Sequence, residues 1–166
     1  MAVDLKAFCA NPRELRLWMH APFRIGQWVY ATNGHYCVRV PATTEPEATG
    51  AYPKNIAALF DRSFADAEFL LLPDFAQAPT CTTCGGSGVN PHPSSEDEDD
   101  ECWECVGRGF QKWMRTRVGD AEYELGYLNK LQALPQARIA TRGHKEPMAV
   151  LFDGGQALLM PMTKEN

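Results

Sequence analysis

Two short segments decide the architecture of this chain: Cys81-Thr-Thr-Cys84-Gly-Gly-Ser-Gly88 and Cys102-Trp-Glu-Cys105-Val-Gly-Arg-Gly109. Both follow the pattern C-x-x-C-x-G-x-G, so each second cysteine is followed by two regularly spaced glycines. Two residues between cysteines let both sulfurs of a pair reach one metal ion from a tight turn. The two pairs therefore predict one structural zinc ion in a closed tetrahedral site, bound by Cys81, Cys84, Cys102 and Cys105.

Disulfide bonds and a redox C-x-x-C pair are the alternatives to zinc. Disulfides fit poorly with a chain whose N-terminus does not resemble a signal peptide, and a redox pair would not need a matched second copy. The glycines favour zinc, because backbone amides that turn toward a thiolate need positive φ angles, which glycine adopts at little cost. Without metal, we expect residues 79–110 to be unfolded, since the segment is too short for a hydrophobic core of its own.

An acidic loop, residues 94–101, separates the two cysteine pairs and contains six consecutive acids from Glu96 to Glu101. The formal net charge of -5 belongs to this loop, because acidic and basic residues are nearly balanced in the rest of the chain. Such a run cannot pack, so we expect a solvated tip on the zinc hairpin. The tip either keeps the chain soluble or contacts a basic partner.

The flanks, residues 1–78 and 111–166, are predicted to form one discontinuous α+β domain around the inserted hairpin at 79–110. Asn33-Gly34 between runs of Val, Tyr and Trp is a strong β-hairpin signal. Helix and strand periodicities predict the following elements: helices at 4–10, 52–60 and 127–134, and strands at 15–20, 24–31, 35–40, 68–72, 110–118, 122–125, 137–142, 147–152 and 156–162. A helix followed by three strands thus occurs twice, which predicts an internal repeat with its sheets packed over paired helices.

The composition argues against export and against several enzyme classes. No apolar run has the length of a membrane span, so we expect a cytoplasmic protein with no membrane partner. No nucleophile elbow, P-loop, dinucleotide fingerprint or H-E-x-x-H motif is present in the sequence. We therefore expect a protein that is not an enzyme.

Three motifs in the flanks resemble parts of bacterial sliding clamps, the beta subunit of DNA polymerase III. Ala31-Thr-Asn-Gly-His-Tyr-Cys37 is similar to the Ala-Thr-Asp-Gly-His-Arg-Leu segment of that family, and Tyr127-Leu-Asn-Lys-Leu-Gln-Ala-Leu134 is similar to a helix of its last domain. Leu158-Leu-Met-Pro-Met162 resembles the terminal Met-Pro-Met of the clamps. The cysteine repeats themselves look like half of the zinc-binding region of DnaJ-type chaperones, although no His-Pro-Asp signature of that family is present.

The clamp resemblance implies a single clamp-like domain, the doubled helix-plus-strands unit of which a clamp ring contains six. One chain cannot encircle DNA alone, so a ring would require a homo-oligomer. In the family, the Asp-Gly-His-Arg-Leu turn and the terminal Met-Pro-Met line a pocket. This pocket takes a short hydrophobic peptide from polymerases and other partners. The matching positions here are Thr32, Gly34, His35, Met160, Pro161 and Met162. Asn33, Tyr36 and Cys37 depart from the family pattern, and the lost arginine puts the same peptide specificity in question.

DNA is the second candidate partner. Arg108, Lys112, Arg115 and Arg117 follow the zinc site, with Trp103 and Trp113 nearby. Cations with interleaved aromatics suit phosphate contact without sequence preference. Two functions result: a clamp-like accessory factor in DNA replication or repair, which binds DNA or a partner peptide, and a protein-binding adaptor or inhibitor that uses the zinc hairpin and its acidic tip.

Overall fold

One seven-stranded antiparallel sheet organises the fold in the computed structural model, which describes residues 3–43, 52–92 and 100–163. Its strands run in the order β1-β2-β3-β9-β8-β7-β4, and β5 and β6 form a separate hairpin. The strands are β1 (Phe23–Ile25), β2 (Trp28–Thr32), β3 (Tyr36–Pro41), β4 (Leu70–Leu71), β5 (Arg115–Val118), β6 (Ala121–Glu124), β7 (Arg138–Ala140), β8 (Met148–Phe152) and β9 (Gly155–Leu159). The helices are α1 (Ile56–Phe64) and α2 (Leu125–Gln132), with 3-10 turns at Leu5–Phe8 and Leu17–Met19.

Alternating side chains on the central strands give the sheet two buried faces. On β3, Tyr36 and Val38 join the larger core, to which α2 and the 3-10 turn Leu5–Phe8 contribute. Cys37 points the other way, into a smaller core with Phe60 of α1. Because successive residues of a strand face opposite sides, the same short strand supports both layers. The result is a mixed α/β domain with helices on both faces of the sheet.

The predicted order of a helix and three strands is found in the second flank, whereas in the first flank a 3-10 turn precedes the three strands. The turn Leu5–Phe8 precedes β1, β2 and β3, while α2 precedes β7, β8 and β9. The two three-stranded groups join where β3 pairs with β9. The turn and α2 pack into the same core, but the first of them is a single 3-10 turn rather than the predicted helix.

Two predictions for the first flank are wrong in detail. Residues 15–20 do not form a strand, since Leu17–Met19 is a 3-10 turn and Leu15 is 92% exposed. The predicted strand 24–31 is two strands, because Gly26 turns the chain at a φ of +59° between β1 and β2. The hairpin predicted at Asn33-Gly34 is confirmed, with Thr32 paired to Cys37 across the loop.

Among the described residues, no helix is long and apolar enough to cross a membrane.

Candidate metal centre and adjoining groove

The four cysteines of the two repeats converge on one point. The Sγ atoms of Cys81, Cys84, Cys102 and Cys105 all lie within 4.8 Å of one another. The Cys81–Cys102 and Cys84–Cys105 sulfur pairs are 3.9 and 3.7 Å apart. A tetrahedral site with Zn–S bonds of about 2.3 Å requires sulfur separations of about 3.8 Å. The donor set therefore fits a single zinc ion, as the cysteine spacing predicts, and all six cysteines of the chain are free of disulfides.

The second glycine of each repeat is required by the geometry of the sulfur ligands. The amide of Gly88 donates to Cys84 Sγ and that of Gly109 donates to Cys105 Sγ, each over 3.3 Å. Both glycines have positive φ angles, +74° and +79°. A Cβ atom on Gly88 would lie 2.5 Å from the carbonyl oxygen of Gly107, so the two repeats approach too closely for any side chain.

The amides also bias which thiol ionises. Burial alone would raise the pKa of Cys84, but N–H donors from Gly88 and Gly86, together with the neighbouring thiols of Cys105 and Cys81, lower that pKa to about 6. Burial instead raises the pKa of Cys105. Since these sulfurs adjoin one another, ionising all of them requires a cation between them, which a zinc ion supplies.

Backbone pairing closes the zinc hairpin (residues 79–110) at both ends of the metal site. Thr80 pairs with Phe110 at the base, and Val89 pairs with Glu101 beyond the cysteines. Residues 94–99 of the predicted acidic loop lie outside the described residues. Its last two residues are described: Asp100 forms an ion pair with Arg13, and Glu101 is the residue that pairs with Val89. The end of the acidic loop is thus held against the N-terminal segment.

The zinc hairpin is anchored to the main domain through the first turn of α2. The ring of Phe110 packs edge-on against Tyr127, with centroids 5.5 Å apart, and lies over Gly126. Arg108 forms a 2.5 Å ion pair with Glu124, the residue before α2. Their side chains are only 14% and 6% exposed, so this pair is buried between the hairpin and the helix.

Replacing Gly126 by alanine is expected to destabilise the protein, although alanine favours helix by about 1 kcal/mol over glycine. A Cβ atom at this position would overlap the Phe110 ring, so the ring has to move and its packing is lost. We expect a net loss of about 1–3 kcal/mol in denaturant unfolding of the zinc-loaded protein. The control is the same substitution in a Phe110→Ala background, where it should become neutral or stabilising. Equal effects in both backgrounds would contradict the packing argument.

A groove of about 360 Å³ lies beside this anchor, and it is called the Met160 groove here. It brings together His35 from the β2–β3 loop and Met160, Pro161 and Met162 from the end of the chain. The amide of Met160 donates to the His35 carbonyl over 2.9 Å, and the amide of Met162 donates to the Glu122 carbonyl over 2.7 Å. Four of the six predicted pocket residues therefore line one cavity.

The apolar character of this groove extends to the His35 ring. It stacks on Tyr127 with centroids 5.1 Å apart. Burial lowers the pKa of His35, and the nearby Arg108 cation lowers it further, so the imidazole is neutral at pH 7. Met160 is 43% exposed and can meet a ligand directly.

The other two predicted pocket residues, Thr32 and Gly34, shape the loop beneath the groove. The Thr32 hydroxyl donates to the Tyr36 carbonyl and accepts from the Gly34 amide. A Cβ atom on Gly34 would lie 3.1 Å from the guanidinium of Arg16. These contacts give both residues a role in the loop geometry that presents His35.

The four cations predicted to contact DNA do not form one exposed patch. Arg108 is committed to the buried pair with Glu124, and Lys112 lines a separate cavity beside Cys81. Arg115 and Arg117 share the exposed face of β5, as strand alternation predicts, and Arg115 lies 3.5 Å from Glu122. The exposed cationic surface is therefore smaller than the sequence suggests.

Sequence reasoning missed the part that Trp113 and Glu124 play in the groove. Both line the groove with Arg108. Trp113 has a φ of +68°, which is rare for a bulky residue, and its side chain is 60% exposed. Its amide donates to Glu124 over 3.3 Å. No local motif marks Glu124, since its partners Arg108 and Trp113 lie 16 and 11 residues before it in the chain.

No protein-family model, curated protein or solved structure matches this chain.

Proposed function

We propose that this chain is a non-catalytic zinc-binding protein that captures a short hydrophobic peptide of a partner in the Met160 groove, as an accessory factor in DNA replication or repair. The observation that carries the proposal is the convergence of His35 with Met160, Pro161 and Met162 on one groove. The replication context comes from the resemblance of these segments to sliding clamps. Zinc is the structural cofactor in this proposal, because the four-cysteine donor set leaves no open position for catalysis.

The chemistry of the groove supports an apolar ligand with a polar or acidic neighbour. Methionine side chains adapt to different apolar partners, and the exposed Trp113 adds a large flat surface. Arg115, 46% exposed, also lines the groove and can meet an acidic group. The groove is formed within one chain, so the proposal requires neither a ring nor a homo-oligomer.

The proposal is tested by selecting random short peptides on the zinc-loaded protein and measuring their affinity for groove variants. We expect the selected peptides to contain apolar residues and to lose at least tenfold affinity when Met160 and Met162 are both replaced by aspartate, because the charges are desolvated against the peptide. A tenfold loss corresponds to about 1.4 kcal/mol.

The matched control for this experiment is Leu15→Asp. Leu15 is 92% exposed and does not line the groove, so this variant should bind the selected peptides normally. Retained α/β circular dichroism in both variants separates a binding defect from unfolding. Peptides that bind the double aspartate variant as well as the wild type would contradict the proposal.

Direct DNA contact is a smaller part of the same proposal. It rests on Arg115 and Arg117, which both face outward from β5. Two cations give a weak phosphate contact that falls steeply with salt. We therefore assign the main contribution to peptide binding.

A second candidate function is a protein-binding adaptor or inhibitor that uses the zinc hairpin itself. The observation that favours it is the exposure of three apolar side chains there: Val89 is 44%, Val106 47% and Trp103 68% exposed. Such residues suit a protein contact on a rigid metal-bound turn. In this case Trp103→Ala would abolish partner binding, whereas the aspartate variants of the groove would bind normally.

A further inference from the structure

We propose that zinc occupancy controls the Met160 groove, because the residues that follow the metal ligands form one wall of it. The inference rests on the proposed peptide function of the groove, but its structural part can be measured without any peptide. It makes the metal a regulator of ligand capture as well as a structural ion.

Arg108 is the direct link between the metal turn and the groove. Its amide donates to the carbonyl of Cys105 over 3.2 Å, inside the turn that presents that ligand. Its guanidinium reaches out of the turn to Glu124, and it lies 5.5 Å from the centre of the Tyr127 ring. The position of this cation in the groove is therefore fixed by the fold of the metal turn.

Trp113 depends on the same contacts. Its left-handed backbone conformation is unfavourable for a bulky residue and persists only where surrounding contacts hold it. Its contacts include the bond from its amide to Glu124 and the Arg108 guanidinium, 5.7 Å from the centre of its ring. If Arg108 leaves Glu124, Trp113 loses a contact that keeps it in the groove wall.

Among its described residues, the interior of the zinc hairpin contains little besides the metal ligands. Its buried cluster consists of Cys81, Cys102 and Cys105, with Cys84 packed against them. Four thiols are too few to act as a hydrophobic core. Without an ion, they make only weak contacts with one another. Metal loss should therefore unfold the turn that holds Arg108, and the groove wall should loosen with it.

The main sheet provides the contrast that makes this inference specific. The buried residues of the core between the sheet and α2, such as Val38, Leu128 and Val150, all lie outside the zinc hairpin, and the hairpin contributes only the partly buried Phe110 at its edge. This core should survive metal loss. Metal loss should therefore disorder the groove wall but leave the main sheet folded.

Amide hydrogen exchange of the full chain, with zinc bound and after chelation, tests the inference. The reporters are the Trp113 amide, which donates to Glu124, and the Leu125 amide, which donates to the Met114 carbonyl over 2.8 Å. We expect both to exchange at least tenfold faster without zinc, while amides of β3, β8 and β9 keep their protection. Cys102→Ala should reproduce this result without a chelator, whereas Cys37→Ala should keep both zinc and protection.

Two outcomes of the exchange experiment would overturn the inference. In the first, faster exchange is confined to residues 79–110, so that the groove wall is independent of the metal. In the second, the whole sheet loses protection, so that zinc stabilises the entire fold rather than the groove.

A binding measurement then separates this inference from the proposed function. A selected peptide that requires Met160 should bind at least tenfold more weakly to the chelated protein. If it requires Met160 but binds equally with and without zinc, the metal control is wrong and the peptide function stands. If no selected peptide requires Met160, the peptide function is wrong, and exchange at Trp113 and Leu125 still decides whether the metal orders the groove wall.

Discussion

Replacing Cys102 by alanine is expected to abolish zinc binding and to unfold residues 79–110 while the main sheet remains folded. Cys102 is fully buried, and its sulfur lies 3.9 Å from that of Cys81. Structural zinc sites of this kind contribute about 10–16 kcal/mol of apparent binding free energy, far more than the contacts of so short a hairpin. Loss of a residue that only hydrogen-bonds to a metal ligand typically lowers metal affinity about 10–100-fold. Loss of a ligand itself should therefore lower zinc affinity by more than that.

Zinc content per chain and the absorption spectrum of the cobalt-substituted protein measure this effect. The wild type should bind one ion with the intense charge-transfer bands of thiolate ligands, and Cys102→Ala should show neither. The control is Cys37→Ala, because Cys37 is also buried but lies on the sheet, away from the metal site. A Cys102→Ala protein that retains one zinc ion and a folded hairpin would contradict the four-cysteine assignment.

The parts of the fold that the sequence predicts well are those encoded by local patterns. The spacing of Cys81 and Cys84 brings two sulfurs to one turn, and the glycine after each pair permits the amide-to-sulfur bond. Asn33-Gly34 specifies the β2–β3 hairpin, since this turn chemistry operates within a few residues. α2 has an apolar face formed by Tyr127, Leu128 and Leu131, and this face is buried in the larger core. In each case the cause and the structure lie close together in the chain.

The parts that it does not predict depend on contacts between distant segments. Arg39 is 4% exposed on β3, where a charged residue would ordinarily face solvent. Its guanidinium lies 4.4 Å from the Trp28 ring and 4.2 Å from the Phe60 ring, and it donates to Gln156 of β9. No local pattern brings these residues together. Residues Leu17–Met19 also depend on distant contacts. Their short apolar run predicts a strand, but no strand pairs with them among the described residues, and they form a 3-10 turn.

Among the residues whose role depends on distant contacts, Glu124 has the largest expected effect on stability. Its replacement by alanine is expected to cost about 3–5 kcal/mol, because the buried charge of Arg108 is left without its partner. The Arg108 side chain is 14% exposed and forms its 2.5 Å ion pair with Glu124. The Trp113 amide would lose its acceptor as well. Denaturant unfolding of the zinc-loaded protein measures the loss.

An exposed ion pair on the same β-hairpin provides the matched control. Arg115 and Glu122 lie 3.5 Å apart with side chains 46% and 37% exposed, so water already solvates both charges. Glu122→Ala should therefore cost only about 0–1 kcal/mol. The difference between the two alanine variants isolates the effect of burial, because both remove a carboxylate from β6.

Replacing both members of the buried pair distinguishes its two energetic components. Arg108→Leu combined with Glu124→Leu removes the attraction but also the cost of desolvating two charges, so the double variant should lose less stability than Glu124→Ala alone. It should nevertheless bind the groove ligand more weakly, because the guanidinium contact with Trp113 is gone. If the double variant is as unstable as Glu124→Ala, the pair itself, rather than the unpaired Arg108 cation, holds the zinc hairpin against α2. The burial argument would then be wrong.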